Sequence, residues 1–248
     1  MGSNAVPPGK RVAIIQSNYL PWKGYFDIIH DVDLFVFHDD LKYTKDDWRN
    51  RNRIKTAEGP RWLTIPVGRD QHRLICEVRL PEGKWADEHW RILKQAYGAV
   101  PHFKIYAPFF EDIYRGTAWT TLSELNQSII RRVAHEILGL STCFDDSRNY
   151  HLTAHKQERV LELLGKTNAQ FYISGAAAKS YLDENRFKEA NVHLIWKDYA
   201  GYPEYPQLHP PFDHAVSIVD LLFNTGPEAV HFIWGWRNSS GQSGRQHP

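Results

Sequence analysis

Near the start of the chain a short apolar strand, a loop, a helix and a second apolar strand follow one another within thirty residues, and no other feature restricts the fold as much. RVAIIQ (11–16) is apolar and β-branched, and it gives way to SNYLPW, where Pro21 marks a loop. WKGYFDIIHDV (22–32) carries apolar residues at helical spacing, with Gly24 leaving its first residue open. DLFVFHDD (33–40) reads as a second buried strand that ends in acid. Strands joined through a helix pair in parallel, so an open, mostly parallel α/β sheet is expected.

The rest of the chain extends this pattern. RWLTIPV (61–67) and ICEVRL (75–80) are expected as strands of a hairpin across GRDQHR. The middle is helical: WADEHWRILKQAYG (85–98) and TTLSELNQSIIRRVAHEILG (120–139), the latter with Leu122, Leu125, Ile129, Val133 and Ile137 on one face and Thr121 and Glu124 as a capping box. TAHKQERVLELLG (153–165) is a further helix with Gly165 as its stop, and QFYISG (170–175) and NVHLIW (192–196) return as strands. HAVSIVDLLFNTG (214–226) is a buried helix capped by Asp213, and Pro227 starts another. These elements are expected to form a single α/β domain over 11–236, with its helical section at about 84–140. The polar ends, 1–10 and 237–248, are expected to be flexible tails.

Charge and cysteine content exclude several classes of function. Among 248 residues, 30 Lys and Arg stand against 29 Asp and Glu, a formal charge of +1, so no global field draws the chain to nucleic acid or to a membrane. Cys76 and Cys143 form no Cys-x-x-Cys pair, which argues against a disulfide framework and a zinc site. No apolar run approaches the roughly 18 residues of a span, and the first ten residues lack a signal peptide's apolar stretch, so a cytoplasmic protein without membrane insertion is expected. Phosphate loops, Gly-x-Gly-x-x-Gly, nucleophile elbows and His-Glu-x-x-His are missing from the sequence. His151 and His155 lie four apart, but thirteen histidines make a chance pair the simpler account, and no metal site is assigned.

Polar residues gather instead at the expected carboxyl ends of strands, where open parallel sheets bind ligands. These are Gln16 to Trp22, His38 to Tyr43, and Ser174-Gly175. Asp39-Asp40 could hold Mg²⁺ or act as base, or could simply cap and pair. In WRNRNR, Arg49, Arg51 and Arg53 alternate with Asn50 and Asn52, so an extended chain puts the arginines on one face. Guanidinium groups there would clamp carboxylate or phosphate, unless they only brace the loop against Asp39, Asp40, Asp46 and Asp47. Trp22, Tyr25 and Trp48 would wall a pocket, and Gln16, Tyr19 and Tyr43 would position polar groups. Late in the chain Ser217, Asp220 and Asn224 form a polar stripe on an apolar helix, read either as an internal network or as part of a substrate site.

Taken together, IIQSNYLPWKGYFDII, FVFHDDLKYTKDDWRNRNRIK, RWLTIPV, YISGAAAKSYLD and SIVDLLFNTG resemble the WbqC-like family of bacterial proteins over about 11–226. The resemblance implies a place in surface-polysaccharide (O-antigen) assembly and a glycine- or other amino-acid-transferase role. A second, more distant similarity is to nucleotide-binding α/β folds of the adenylyltransferase and pantothenate-synthetase type, and it implies a HUP- or Rossmann-like sheet. Trp22-Lys23-Gly24-Tyr25 stands where those proteins carry His-x-Gly-His, with aromatic residues replacing both histidines. That departure puts ordinary adenylyl transfer in doubt but leaves Gly24 and the helix start for an anion.

The function expected is an amide-forming acyl or aminoacyl transferase (or ligase) acting on a carboxylated or activated sugar-like or small metabolite. Asp39, Asp40, Arg51 and Tyr43 are the candidate catalytic residues. Gln16, Tyr19, Trp22, Tyr25, Trp48, Arg49, Asn50, Arg53, Ser174, Asp220 and Asn224 are the candidate binding residues. ATP or a nucleotide-activated substrate, with or without Mg²⁺, stays open as cofactor. A nucleotide-sugar-dependent glycosyltransferase and a non-catalytic binding module are the alternatives. Oligomeric state is not legible.

Overall fold

A computed structural model describes residues 9–239, so the terminal segments 1–8 and 240–248 lie outside the described residues. The chain divides into two compact units: residues up to Ile15, Ile28–His38 and Ser141–Asp198 form one, and Gln16–Asp27, Asp39–Leu140 and the residues from Tyr199 form the other.

The first unit is the sheet. β1 (Arg11–Ile15), β2 (Leu34–Phe37), β5 (Cys143–Asp146), β6 (Phe171–Gly175) and β7 (His193–Lys197) lie in the order β5-β2-β1-β6-β7. Every pairing is parallel, with Val12 opposite Leu34, Leu34 opposite Cys143 and Ser174 opposite Trp196. The open parallel α/β sheet expected from the sequence is therefore present. Alternate strand residues pack one face against α5 (Lys156–Lys166) and α6 (Glu184–Glu189): Val12, Ile14, Leu34, Val36 and Tyr172 cluster with Leu163, Leu164 and Phe187. Elsewhere in this unit the rings of Phe37 and Phe144 stack at 5.6 Å. Gly165 does not stop α5, which runs on to Lys166; the left-handed residue is Asn168 (φ +54).

The second unit is mostly helical, around one hairpin. α2 (Trp85–Tyr97), α3 (Phe103–Glu111) and α4 (Leu122–Arg132) are followed late in the chain by α7 (Ile218–Thr225) and the short α8 (Trp236–Ser239). The capping box at α4 forms as its sequence requires: Glu124 N–H donates to Thr121 Oγ1 at 3.2 Å, and Thr121 N–H to Glu124 Oε2 at 3.0 Å. Leu122, Leu125, Ile129 and Val133 are fully buried. α1 (Lys23–His30) supplies residues to both units.

Two expectations are corrected here. RWLTIPV pairs backwards with β3 (Arg51–Thr56), not forwards with 75–80. β4 (Gly59–Thr64) opposes β3 with Thr56 facing Gly59, whose φ of +108 suits a tight turn. A two-residue connection closes more readily than the longer one through GRDQHR. Residues 75–77 form a 3₁₀ turn instead, and the segment is held by Ile75 N–H on Leu41 O and Cys76 N–H on Asp39 O, both 2.9 Å. The last long helix starts at Ile218 with Ser217 as its cap, not at 214 with Asp213. Ser217 N–H is spent on Arg53 O at 2.8 Å and Ser217 bridges to Trp22, which keeps this stretch extended; Asp213 Oδ1 accepts from Ala215 N–H.

Candidate functional site: an aromatic pocket beside an arginine-held loop

Three segments of the second unit meet edge to edge. Pro21 O accepts Ile218 N–H at 2.9 Å, Trp22 bridges Ser217, and Arg53 O accepts Ser217 N–H. Between them lies a pocket of about 240 Å³ lined by Asn18, Pro21, Trp22, Trp48, Asn52 and Ala215. Trp22 and Trp48 thus form walls. The Trp22 indole is seated on Gly24, where a Cβ would come within 2.2 Å of the ring, and it makes edge contacts with Tyr199 and Tyr202. Gly24 is therefore covered by that indole, which corrects its reading as an open anion site.

Arg49 organises the loop after β1. Its guanidinium donates to Asn18 Oδ1 and to Gln16 Oε1 (2.7 Å), with Asp47 at 3.6 Å, while its backbone carbonyl accepts from Asn126 Nδ2 at 2.8 Å. Tyr25 donates its hydroxyl to Gln16 O at 3.0 Å, and burial, then the Asp39 charge, holds its pKa well above that of a free phenol. Asn18 links the guanidinium to the pocket wall.

The alternation in WRNRNR is realised: Asn50 and Asn52 are buried, whereas Arg51 and Arg53 are half-buried on the other face of β3. Asn52 Nδ2 donates to Tyr19 O and Leu20 O, and Asn50 Nδ2 to Ile65 O, so the asparagines fasten the loops. Arg51 donates to Asp46 O and sits 4.4 Å above the Trp62 ring. Arg53 donates from Nε and Nη2 to Ala215 O at 3.0 and 2.7 Å, with Asp213 at 3.5 Å. Each arginine braces a loop, and Arg49 and Arg53 do so against residues of the pocket wall.

Asp39 is fully buried and engaged. Ser17 N–H donates to Oδ1 at 2.7 Å, and Ser123 Oγ and Gln127 Nε2 (3.0 Å) donate to Oδ2. Among the described residues, Asp39 and Asp40 belong to no group of three acidic, histidine or cysteine side chains close enough to share a metal ion. Asp40 is half-buried, and Tyr43 is buried with the Arg73 guanidinium 5.3 Å over its ring. Tyr19 lies in a buried chain, sharing hydrogen bonds with His89 Nδ1 (2.8 Å) and with Tyr114. Burial pushes the His89 pKa down to about 4.

Asp220 carries Tyr205 and Gln207 on Oδ1 and Tyr97 on Oδ2, and Asn224 donates to Asp220 O. The late polar stripe is a network internal to this unit, and burial raises the Asp220 pKa. Ser174 belongs to the sheet unit, where it stands opposite Trp196 in the β6–β7 register.

The sequence reading passed over two features. Ser123, Asn126 and Gln127 of α4 bind the Asp39 to Arg49 loop, and their i, i+3, i+4 spacing on a helix with an apolar face was the available signal. Lys23 is also buried, 2% exposed, with its ammonium 4.8 and 5.3 Å from the Tyr202 and Tyr205 rings and 3.4 Å from Pro203 O. Burial lowers its pKa to about 8. Asp27, one turn on, is committed to Arg237 (2.8 and 2.5 Å) and to Tyr202.

Buried polar atoms without a partner concentrate around this loop. Among the described residues they include Ser17 Oγ, Tyr43 Oη, Arg49 Nε, Asn50 Oδ1, Arg51 Nε and Asn126 Oδ1. A buried polar atom left unsatisfied costs about 1–3 kcal/mol.

In comparisons with known proteins, residues 16–232 match the WbqC-like protein family. The chain is 46% identical over 227 residues to a Mycobacterium tuberculosis protein, "Uncharacterized protein Rv1507c", covering 90% of this chain and 97% of that one. No solved structure matches.

Proposed function

Since the chain belongs to the WbqC-like protein family, we propose that it is a cytoplasmic transferase of bacterial surface-polysaccharide synthesis that makes an amide on a carboxylated, sugar-sized metabolite. The observation that carries this reading is the pocket walled by Trp22 and Trp48 with the Arg49 guanidinium tied to its Asn18 wall. Indoles offer flat apolar faces to a ring, and a guanidinium favours a carboxylate. At about 240 Å³ the pocket suits one ring, since drug-sized ligands occupy roughly 300–1,000 Å³. The reading is further supported by the parallel strand order, which counted by appearance is 3-2-1-4-5, as in doubly wound sheets that bind nucleotides. A nucleotide-activated donor fits that order.

In the reaction, the acceptor amine attacks an activated acyl carbon; a C–N bond forms, the bond to the activating group breaks, and the amine proton passes to a base. Asp39, with both oxygens engaged, serves the loop, and Asp40 takes the base role. Arg51 and Tyr43 are the remaining proposed contributors. The test is mass spectrometry of the purified protein incubated with uridine-diphosphate uronates, ATP, Mg²⁺ and glycine. A product 57 Da heavier, the mass of a glycyl residue (roughly, from the loss of one water), is expected and should vanish in Trp48→Ala. Equal product from Trp48→Ala would refute the pocket as the site.

A further inference from the structure

Beside the pocket, the exposed face of the β3–β4 hairpin carries a second aromatic surface. Trp48 and Trp62 are 43% and 42% exposed, unusual for so large a side chain, and their rings lie 5.5 Å apart at 39°. Arg51 and Arg53 sit 4.4 and 6.0 Å from the Trp62 centroid, and Arg53 opposes Trp62 in the hairpin register. Trp48 belongs to both places, since it also lines the pocket. Arg53 does so too, through its two bonds to Ala215 O of the pocket wall.

We propose that Trp62, with Arg51 and Arg53, forms a second ligand subsite continuous with the pocket, which takes a further ring that carries an anionic group or is joined to the pocket's ring through one. This rests on the reading of the pocket as a site for a carboxylated ring and extends the substrate to at least two ring units. Two features favour it. Stacking on an exposed indole is worth about 1–3 kcal/mol per ring and is indifferent to the ring's substituents. The two guanidinium groups flanking Trp62 supply positive charge where the link between rings would lie, and a charge-assisted bond gains strength when the ring excludes water. The anion is either the diphosphate that joins the pocket's ring to a nucleobase or the pendant carboxylate of a neighbouring uronic residue in a glycan, and both set an anion beside a further ring.

Calorimetric titrations of D-galacturonate, digalacturonate and uridine-diphosphate galacturonate against the full chain and its Trp62→Ala and Trp62→Phe variants test the proposal. At least one two-ring ligand is expected to bind at least about fivefold more tightly than galacturonate, roughly the weakest stacking contribution. That gain should disappear in Trp62→Ala and return in Trp62→Phe, while galacturonate binds all three alike. Whichever two-ring ligand shows the gain identifies the nucleotide or the glycan as the source. Galacturonate binding without any gain, or a gain that persists in Trp62→Ala, overturns the subsite alone. A Trp62-dependent gain with no galacturonate binding overturns the pocket reading alone, and no binding by any ligand overturns both.

Discussion

The Ser17 backbone N–H donates to the buried Asp39 carboxylate at 2.7 Å, so the acid that ends the second strand's run holds the loop that follows the first. Asp39→Asn replaces a charged acceptor with an amide and turns a donor toward donors. Loss of one charge-assisted bond costs about 1.5–3 kcal/mol. Urea denaturation should show a loss of about 2 kcal/mol, with ligand binding weakened because Gln16 and Asn18 shift.

At Gly24, a methyl group has no room beneath the Trp22 indole. Gly24→Ala should destabilise the chain by about 1–3 kcal/mol, the usual cost of overpacking. The indole must swing away, so Trp fluorescence should change even in folded protein. Trp22→Leu should relieve the strain of Gly24→Ala, which a double-mutant cycle measures.

Lys23 sets a pH dependence of known sign. Its folded pKa of about 8 lies below the ordinary lysine value of 10.5, so between these limits the unfolded chain binds the extra proton. Stability contributed through Lys23 therefore rises as pH rises from about 8 toward 10.5, and its burial penalty is full at pH 7. Lys23→Met should be more stable than the parent at pH 7, and the difference should shrink by pH 9.5. Denaturation midpoints of both proteins at the two pH values check this, the difference cancelling the tyrosines that titrate nearby.

His89 acts on the acid side. Its pKa of about 4, against 6.5 when unfolded, means that the unfolded state gains a proton first as pH falls. Stability from this group is complete above about 6.5 and is lost toward pH 4. Melting temperatures between pH 7 and 5 should fall less steeply in His89→Gln than in the parent.

Much of this architecture was written locally in the sequence. β1, β2, β6 and β7 are apolar runs, and the α4 capping box is a four-residue signal satisfied within its own helix. β5 escaped because CFDD is a four-residue edge strand with two acids, and α3 because Pro108 interrupts its pattern. At the site, residue types were legible but their partners were not. Asp39 and the asparagines of WRNRNR are bound by residues 15 to 88 positions away, and only the fold shows that these polar groups tie loops together while Trp22 and Trp48 face the pocket. Lys23 stayed hidden because its burial depends on Tyr202 and Tyr205, some 180 residues later in the chain.

The proposed selection of a carboxylated ring by the Trp22–Trp48 pocket with Arg49 is tested by the affinity of D-galacturonate relative to D-galactose, measured by calorimetry in the parent and in Arg49→Met. A charge-assisted bond of about 1.5–3 kcal/mol corresponds to a preference of roughly ten- to a hundredfold for the acid. That preference should appear in the parent and collapse in a variant whose circular dichroism is unchanged. Equal affinity for the two sugars in the parent, or a preference that survives in Arg49→Met, would rule out Arg49 as the group that selects the acid.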